Sequence, residues 1–346
     1  MVEITTVGLD VAKQIFQVHG ISGDGGVVVN RQLRRSEVLR YFGKLPSCLV
    51  GLEACGGSHY WAREITALGH DVRLIPPGYV KPYVKRGKTD AIDAEAICEA
   101  VSRPTMRFVP IKTVECQAAQ MALKTRDLVV RQRTQTINAL RGHLAELGIV
   151  AAKGLAKVET LIAIVRDEND ERLPPTARKA LLLLAEQIGD LTERAKTLER
   201  EIVAGVRHDD VARRLTTIPG IGPITAATIQ ALVPDPTAFT SGRHFAAWIG
   251  LTPRSNSSGG KERIGKISKM GNPALRSLLV VGATAVIMHA RRGAAVSPWL
   301  TGLLARRPPK VAAIALANKM ARIAWALLAK GGRFVRYNQV AANAAA

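Results

Sequence analysis

Through the first hundred residues the apolar positions come in short runs separated by turn residues. TTVGLDVA (5–12) reads as a strand carrying one acid, Asp10, and QIFQVHGI (14–21) and GGVVVNRQL (25–33) read as two more, joined by the turn Ser22-Gly23-Asp24-Gly25-Gly26. A short helix is expected over Ser36–Phe42, a fourth strand in SCLVGLEA (47–54) ending at Glu53, and a helix over Tyr60–Leu68. A fifth strand, DVRLIPP (71–77), and a helix from GKTDAIDAEAI (87–97) to about Val101 complete the series. Beyond Val114 the period changes. Leu123, Val130, Ile137 and Leu144 recur at seven-residue intervals in a long helical pattern that Gly148 stops. After Pro174-Pro175 a second pattern spaces Leu184, Ile188, Leu191, Ala195, Leu198 and Ile202 alternately four and three apart. Two such helices joined by a loop predict an antiparallel coiled-coil hairpin or a dimer contact.

These patterns predict three segments: an α/β domain over 1–110, a coiled-coil region over 111–210 and a mainly helical region over 211–346. Three meandering strands followed by helix, strand, helix, strand, helix is the element order of an RNase H-like fold. In the third segment, IPGIGPITAATIQAL (218–232) has the pattern of a helix–hairpin–helix, in which Gly220 and Gly222 would let backbone N–H groups approach a phosphate. A helix–turn–helix corner with a Gly-rich turn and no ligand is the alternative, and in so basic a chain the DNA reading is favoured. Further on, an apolar helix passes through a Ser/Gly loop, RSNSSGGK (254–261), into a helix expected to be cationic.

Charge points to partners. The 346 residues carry 49 Lys and Arg against 28 Asp and Glu, a formal net charge of +21 and a pI near 10.4, which implies a polyanionic partner. Most of the excess lies between Leu251 and Ala346, where 16 cations face one acid, Glu262. MVEITTVGLD lacks the basic start and apolar core of a signal peptide. The run Leu278–Met288 is too short to span a bilayer, and Val311–Leu328 is broken by Lys319 and Arg322. Cys48, Cys55, Cys98 and Cys116 have no metal-ligand or disulfide spacing. The expectation is a reduced, cytoplasmic, nucleoid-associated protein with no membrane partner.

The candidate chemistry lies in four acids. Asp90 and Asp93, three apart on one helical face, follow a basic knot of Lys85, Arg86 and Lys88. They are either acids favoured at a helix start capped by Thr89, or ligands for a divalent cation, with the cations guiding a phosphate backbone. An acid inside an apolar strand is costly unless paired or metal-bound, and Asp10 and Glu53 are two such acids. The predicted fold order brings both to Asp90 and Asp93, so the four are expected to hold Mg²⁺ at a phosphodiester. Arg131 and Arg133 on the first long helix, and Arg254, Lys261, Arg263, Lys266, Lys269 and Arg276 near the Ser/Gly loop, are candidate nucleic-acid contacts.

GLDVAK, GLEACGG and KTDAIDAEAI, followed by IPGIGPITAA and GLTPRSNSSGG, closely resemble the DEDD transposases of bridge-RNA-guided insertion sequences, relatives of the pilin-gene invertases. The resemblance spans about residues 4–337. It implies a RuvC-like N-terminal domain, a coiled-coil insertion and a C-terminal transposase domain. It also implies a noncoding bridge RNA that pairs with target and donor DNA, and a serine nucleophile forming a 5′-phosphoserine link. Matching GLTPR and the Ser-Gly after it puts that role on Ser258, with Ser257 adjacent. The residues alone would read SNSSGG as a polar linker. Strand exchange between two duplexes implies a homodimer or tetramer. A plain metal-dependent nuclease or junction resolvase, and a non-enzymatic architectural protein, are the competing readings.

Overall fold

The computed structural model describes residues 3–85, 87, 89–257, 259–261 and 263–335. The chain divides into two compact units, Met1–Thr113 and Val114–Ala346. The first is a five-stranded sheet. β1 (Thr6–Asp10), β2 (Ile15–Ile21) and β3 (Val27–Arg34) form the antiparallel meander, while β4 (Leu49–Glu53) and β5 (Asp71–Ile75) add in parallel on the other side of β1. The order across the sheet is β3-β2-β1-β4-β5. All five strands lie where the alternation of apolar residues predicts them.

Alternation also sorts the faces. Val7, Leu9, Val50 and Leu52 are buried in one core with Phe16, Trp61 and Ile65, under α1 (Val38–Phe42) and α2 (Ser58–Ala67). On the other face lies α4 (Asp90–Val101), reached from β5 through the short α3 (Pro77–Val80). Its buried residues Ala96, Ile97, Ala100 and Val101 form a second core with Ile75 and Val80. Thr89 caps α4 as expected, its hydroxyl accepting from the Ile92 N–H at 3.3 Å.

The second unit begins with the two long helices, α5 (Val114–Glu146) and α7 (Pro175–His208), which pack antiparallel. The direction follows from their contacts: Val129 and Val130 meet Leu191, Ala195 and Leu198, whereas Ile137, Leu140 and Leu144 meet Leu181, Ala185 and Ile188. Their connection is more than a loop. It carries α6 (Val158–Arg166), whose Val158, Leu161, Ile162 and Val165 close the end of the hairpin's core. Nine residues supply only two and a half turns of periodicity, and long-range packing is what stabilises so short a helix.

The remainder is helical, with α8 (Asp210–Leu215), α9 (Pro223–Leu232), α10 (Gly242–Ile249), α11 (Pro273–Arg291), α12 (Pro298–Arg306) and α13 (Pro309–Lys330) around one large core. α11 and α13 are each long and apolar enough to cross a membrane by length and composition. Here they pack against each other, burying Leu275, Leu279, Ala283 and Ile287 of one and Ala313, Ala317, Met320 and Ala324 of the other. Described residues on either side of Ser258 pair as a β-hairpin, β6 (Pro253–Ser255) and β7 (Ile264–Ile267), rather than forming a plain loop between helices. The alternation that would reveal these strands is missing because neither face is buried.

Candidate catalytic site

Asp10 and Glu53 end adjacent parallel strands, which run in register from Thr6 opposite Leu49 to Leu9 opposite Leu52. The two strands repeat one pattern, Val-Gly-Leu-acid, as Val7-Gly8-Leu9-Asp10 and Val50-Gly51-Leu52-Glu53. Gly8 and Gly51 are therefore side by side on the face that α4 covers. A Cβ on Gly8 would lie 2.1 Å from the Ala94 carbonyl oxygen and 2.5 Å from the Cys98 nitrogen. One on Gly51 would lie 2.8 Å from the Val101 Cβ. This pair of glycines lets the α4 backbone rest directly on the sheet, bringing Asp90 and Asp93 of its first turn over the strand ends.

The four carboxylates share one electrostatic field. Asp10 is pushed up to about 6, first by burial and then by the negative charges of Asp90, Asp93 and Glu53. Among the described residues no three acidic, His or Cys side chains stand at metal-ligand spacing. The donor set is nevertheless all oxygen, which suits a hard divalent cation and not zinc, and the charge it gathers suits a cation as counter-charge.

Two other titratable groups of this unit are shifted by burial. Burial, and then the charges of Glu53 and Asp10, push the Cys55 thiol up. His59 is lowered to about 4, by burial and then by the charges of Lys112 and Arg63, and its neutral Nδ1 accepts the Lys112 N–H at 3.2 Å. Lys85 of the basic knot is paired with Glu95 of α4 at 2.5 Å, while Arg86 and Lys88 lie outside the described residues.

In the second unit, Arg131 is exposed and pairs with Asp127 at 3.3 Å, and Arg133 is half-buried, its Nε without a hydrogen-bond partner among the described residues. Two further cations of α5 are engaged in structure. Arg126 binds Glu199 across the helical hairpin, its Nε donating at 3.0 Å, and Arg141 donates to the Ala151, Ala152 and Gly154 carbonyls.

At the 218–232 turn, Gly220 sits against α11. A Cβ there would lie 2.8 Å from the Gly282 carbonyl oxygen, so internal packing by itself requires this glycine. Gly222, the N-cap of α9, is exposed, with open space around its Cα.

On the hairpin, Lys261, Arg263, Lys266 and Lys269 are exposed. Arg254 donates to the Ser268 carbonyl at 3.0 Å. Arg276 is half-buried and fastens the hairpin's base, donating to the Ile249 and Met270 carbonyls at 2.9 and 3.0 Å. Ser258 lies outside the described residues. Beside it in sequence, the Ser257 Oγ accepts from Ser255 Oγ at 3.0 Å and from the Arg263 N–H at 3.2 Å.

A transposase model of the IS110 DEDD type matches residues 7–149, and the model described as transposase IS116/IS110/IS902 family matches 212–297. The first span contains all four acids. The chain is 50% identical to the "Probable family 20 transposase" of Pseudomonas aeruginosa, over 94% of this chain and 97% of that protein. It is 39% identical to the transposase for insertion sequence element IS1328 of Yersinia enterocolitica, over 96% and 99%. With the transposase for IS1111A of Coxiella burnetii it shares 40% identity, over 95% and 91%.

The chain belongs to the IS110 transposase family. As a transposase it acts on DNA, and its +21 charge suits that substrate. The residues that sequence reading misses in this transposase are Gly8 and Gly51. The Val-Gly-Leu-acid repeat was their signal.

Proposed function

We propose that this transposase recombines DNA through an RNase H-like, RuvC-like carboxylate centre, Asp10, Glu53, Asp90 and Asp93, working with Ser258 as nucleophile. The observation that carries the reading is the meeting of three chain ends, those of the adjacent parallel strands β1 and β4 at Asp10 and Glu53 and the first turn of α4 at Asp90 and Asp93, where α4 rests on Gly8 and Gly51. The 3-2-1-4-5 strand order, with acids ending β1 and β4, supports the RNase H-like assignment.

Mg²⁺ held by these four oxygen donors would neutralise charge on the scissile phosphate. The chain's own part is to gather the donors on two strand ends and one helix start. The Ser258 hydroxyl oxygen forms a P–O bond to the scissile phosphorus as the bond to the 3′ oxygen breaks. Net, the hydroxyl proton passes to the departing 3′ oxygen, leaving a 5′-phosphoserine and a free 3′-hydroxyl. The reverse step on a second duplex joins the strands. This assignment rests on the resemblance in GLTPRSNSSGG.

The same resemblance supports guidance by a bridge RNA pairing with target and donor DNA, with residues 111–210 as a coiled-coil insertion and 211–346 as the transposase domain. The exposed cations Arg131 on α5 and Lys261, Arg263, Lys266 and Lys269 on the hairpin would carry nucleic acid, as would Gly222 at the head of α9. An outward stripe at seven-residue intervals on α5, Val114, Met121 and Leu128, supports a homodimer or tetramer joined through the long helices. We place the protein in the bacterial cytoplasm, on the nucleoid.

The test is denaturing electrophoresis of the protein with nicked donor DNA in Mg²⁺, followed by mass spectrometry of the trapped peptide. A phosphoryl adduct on Ser258 is expected. Free ends with no adduct would make the enzyme a metal-dependent nuclease.

A further inference from the structure

Beside the carboxylate end of the sheet, the first unit has an open groove of about 620 Å³ that the cleavage chemistry does not use. Ile15, Arg34, Arg35, Leu39, Tyr60 and Trp61 line it. Its position follows from the chain path. Ile15 opens β2 just after the turn that follows Asp10, and Tyr60 and Trp61 lie in the first turn of α2, just after the loop that follows Glu53. The groove is therefore at the same end of the sheet as the acids. It is on the α1/α2 face, and the acids are on the α4 face.

The walls combine flat π surfaces with cations. The Arg35 guanidinium lies 5.0 Å from the Trp61 ring centroid, and the Tyr60 and Trp61 rings meet edge-on at 5.2 Å. The Arg35 N–H donates to the Gln14 carbonyl at 2.7 Å, which ties this arginine to the turn after Asp10. Tyr60 is 41% exposed, and Arg34 and Arg35 are exposed with no carboxylate within ion-pair distance among the described residues. An exposed ring, a guanidinium plane and an unneutralised cation match an unpaired nucleotide, whose base stacks and whose phosphate pairs with arginine. A base pair inside a duplex keeps its faces stacked on its neighbours and offers neither face to such a wall.

We propose that this groove binds an unpaired nucleotide of the DNA strand on which the carboxylates act. It would hold the strand single-stranded next to the scissile phosphate, with Tyr60 and Arg35 as the stacking walls and Arg34 on the backbone. The choice of DNA rests on the carboxylate reading above, because the strand crossing that end of the sheet is the one being cut.

The experiment is fluorescence anisotropy of the full-length protein in EDTA with a labelled single-stranded DNA, the matching RNA, and duplex DNA. Tyr60→Ala should weaken single-stranded DNA binding about tenfold, the scale of one lost base stack. Tyr60→Phe should bind like the parent, and the duplex affinity of Tyr60→Ala should be unchanged. Arg34→Gln should flatten the salt dependence for single-stranded DNA by about one unit of log slope.

Parent-like single-stranded DNA binding by Tyr60→Ala would overturn the proposal, as would a loss confined to RNA. Asp10→Asn separates the two readings. If it cuts DNA normally, the carboxylate assignment falls and with it the choice of DNA. If it is inactive while Tyr60→Ala binds like the parent, the groove alone is refuted.

Discussion

The acid-bearing end of the first unit and the β6–β7 hairpin of the second are built on opposite physical terms. At the acid end every supporting residue is packed: Val7, Leu9, Val50 and Leu52 are fully buried below, and α4 lies on Gly8 and Gly51 above. Burial first, and then the negative charges of Asp90, Asp93 and Glu53, raise the pKa of Asp10 there. The hairpin has almost no such support. Its strands are exposed on both faces, Ile264 included, and it is fastened at the base by Arg254 and Arg276 to backbone carbonyls. One region carries a geometry set by its own core. The other presents exposed cations on a thin arm, fastened at its base by Arg254 and Arg276.

The largest expected effects break the comparison at its reacting groups. Asp10→Ala, Glu53→Ala, Asp90→Ala or Asp93→Ala should each reduce recombination by more than about 1,000-fold while leaving DNA binding, measured by gel shift, near parental. Normal recombination by Asp93→Ala would return that residue to a helix-start acid. Ser258→Ala should remove the covalent protein–DNA species. Ser257→Ala should retain it, losing only the loop bonds from Ser255 and Arg263.

Next comes packing. Gly8→Ala should destabilise the first unit by about 3 kcal/mol or more, since the clash is with helix backbone and cannot be relieved by a rotamer change. Gly56→Ala, with nothing within 4 Å of its added Cβ, should stay within about 0.5 kcal/mol of the parent. Thermal unfolding of both variants checks this. Equal melting temperatures would mean that α4 does not rest on the glycine pair.

A smaller effect follows from Asp10 itself. Its folded pKa lies above the ordinary carboxylate value, so the folded state binds the proton more tightly than the unfolded chain does. The contribution of Asp10 to stability is then fully present below about pH 4 and is lost as pH rises through about 6. In EDTA, Asp10→Asn should therefore melt higher than the parent at pH 8, and the gap should close by pH 4. Added Mg²⁺ should raise the parent's melting temperature and leave that of Asp10→Asn nearly unchanged. A variant less stable than the parent at pH 8 would remove the repulsion argument.

The smallest effect separates binding cations from structural ones. Lys266→Glu with Lys269→Glu should lower the salt slope of log DNA affinity by about two units. Arg276→Gln should instead lower the melting temperature, because its guanidinium holds the Ile249 and Met270 carbonyls. A slope change from Arg276→Gln larger than that from the lysines would invert the assignment.

Read alone, the sequence determined what local periodicity encodes. Alternation located all five strands of the sheet, seven-residue spacing located α5 and α7, and Thr89 marked the start of α4. These signals are legible because the partners in each are between one and seven residues apart, so one face of one element carries the whole message. The same local logic singled out Asp10 and Glu53 as acids in apolar strands.

Tertiary structure alone decided which charges are free. Arg126 and Glu199 are 73 residues apart in sequence and Arg276 and Ile249 are 27 apart, and no pattern of residue types reveals such pairings. It likewise decided that Gly220 is used against Gly282, that an exposed hairpin replaces a linker, and that Gly8 and Gly51 sit side by side. Each depends on the register of one element against another. Register is a sum of many weak contacts spread over the chain, so it exists only once the chain has folded.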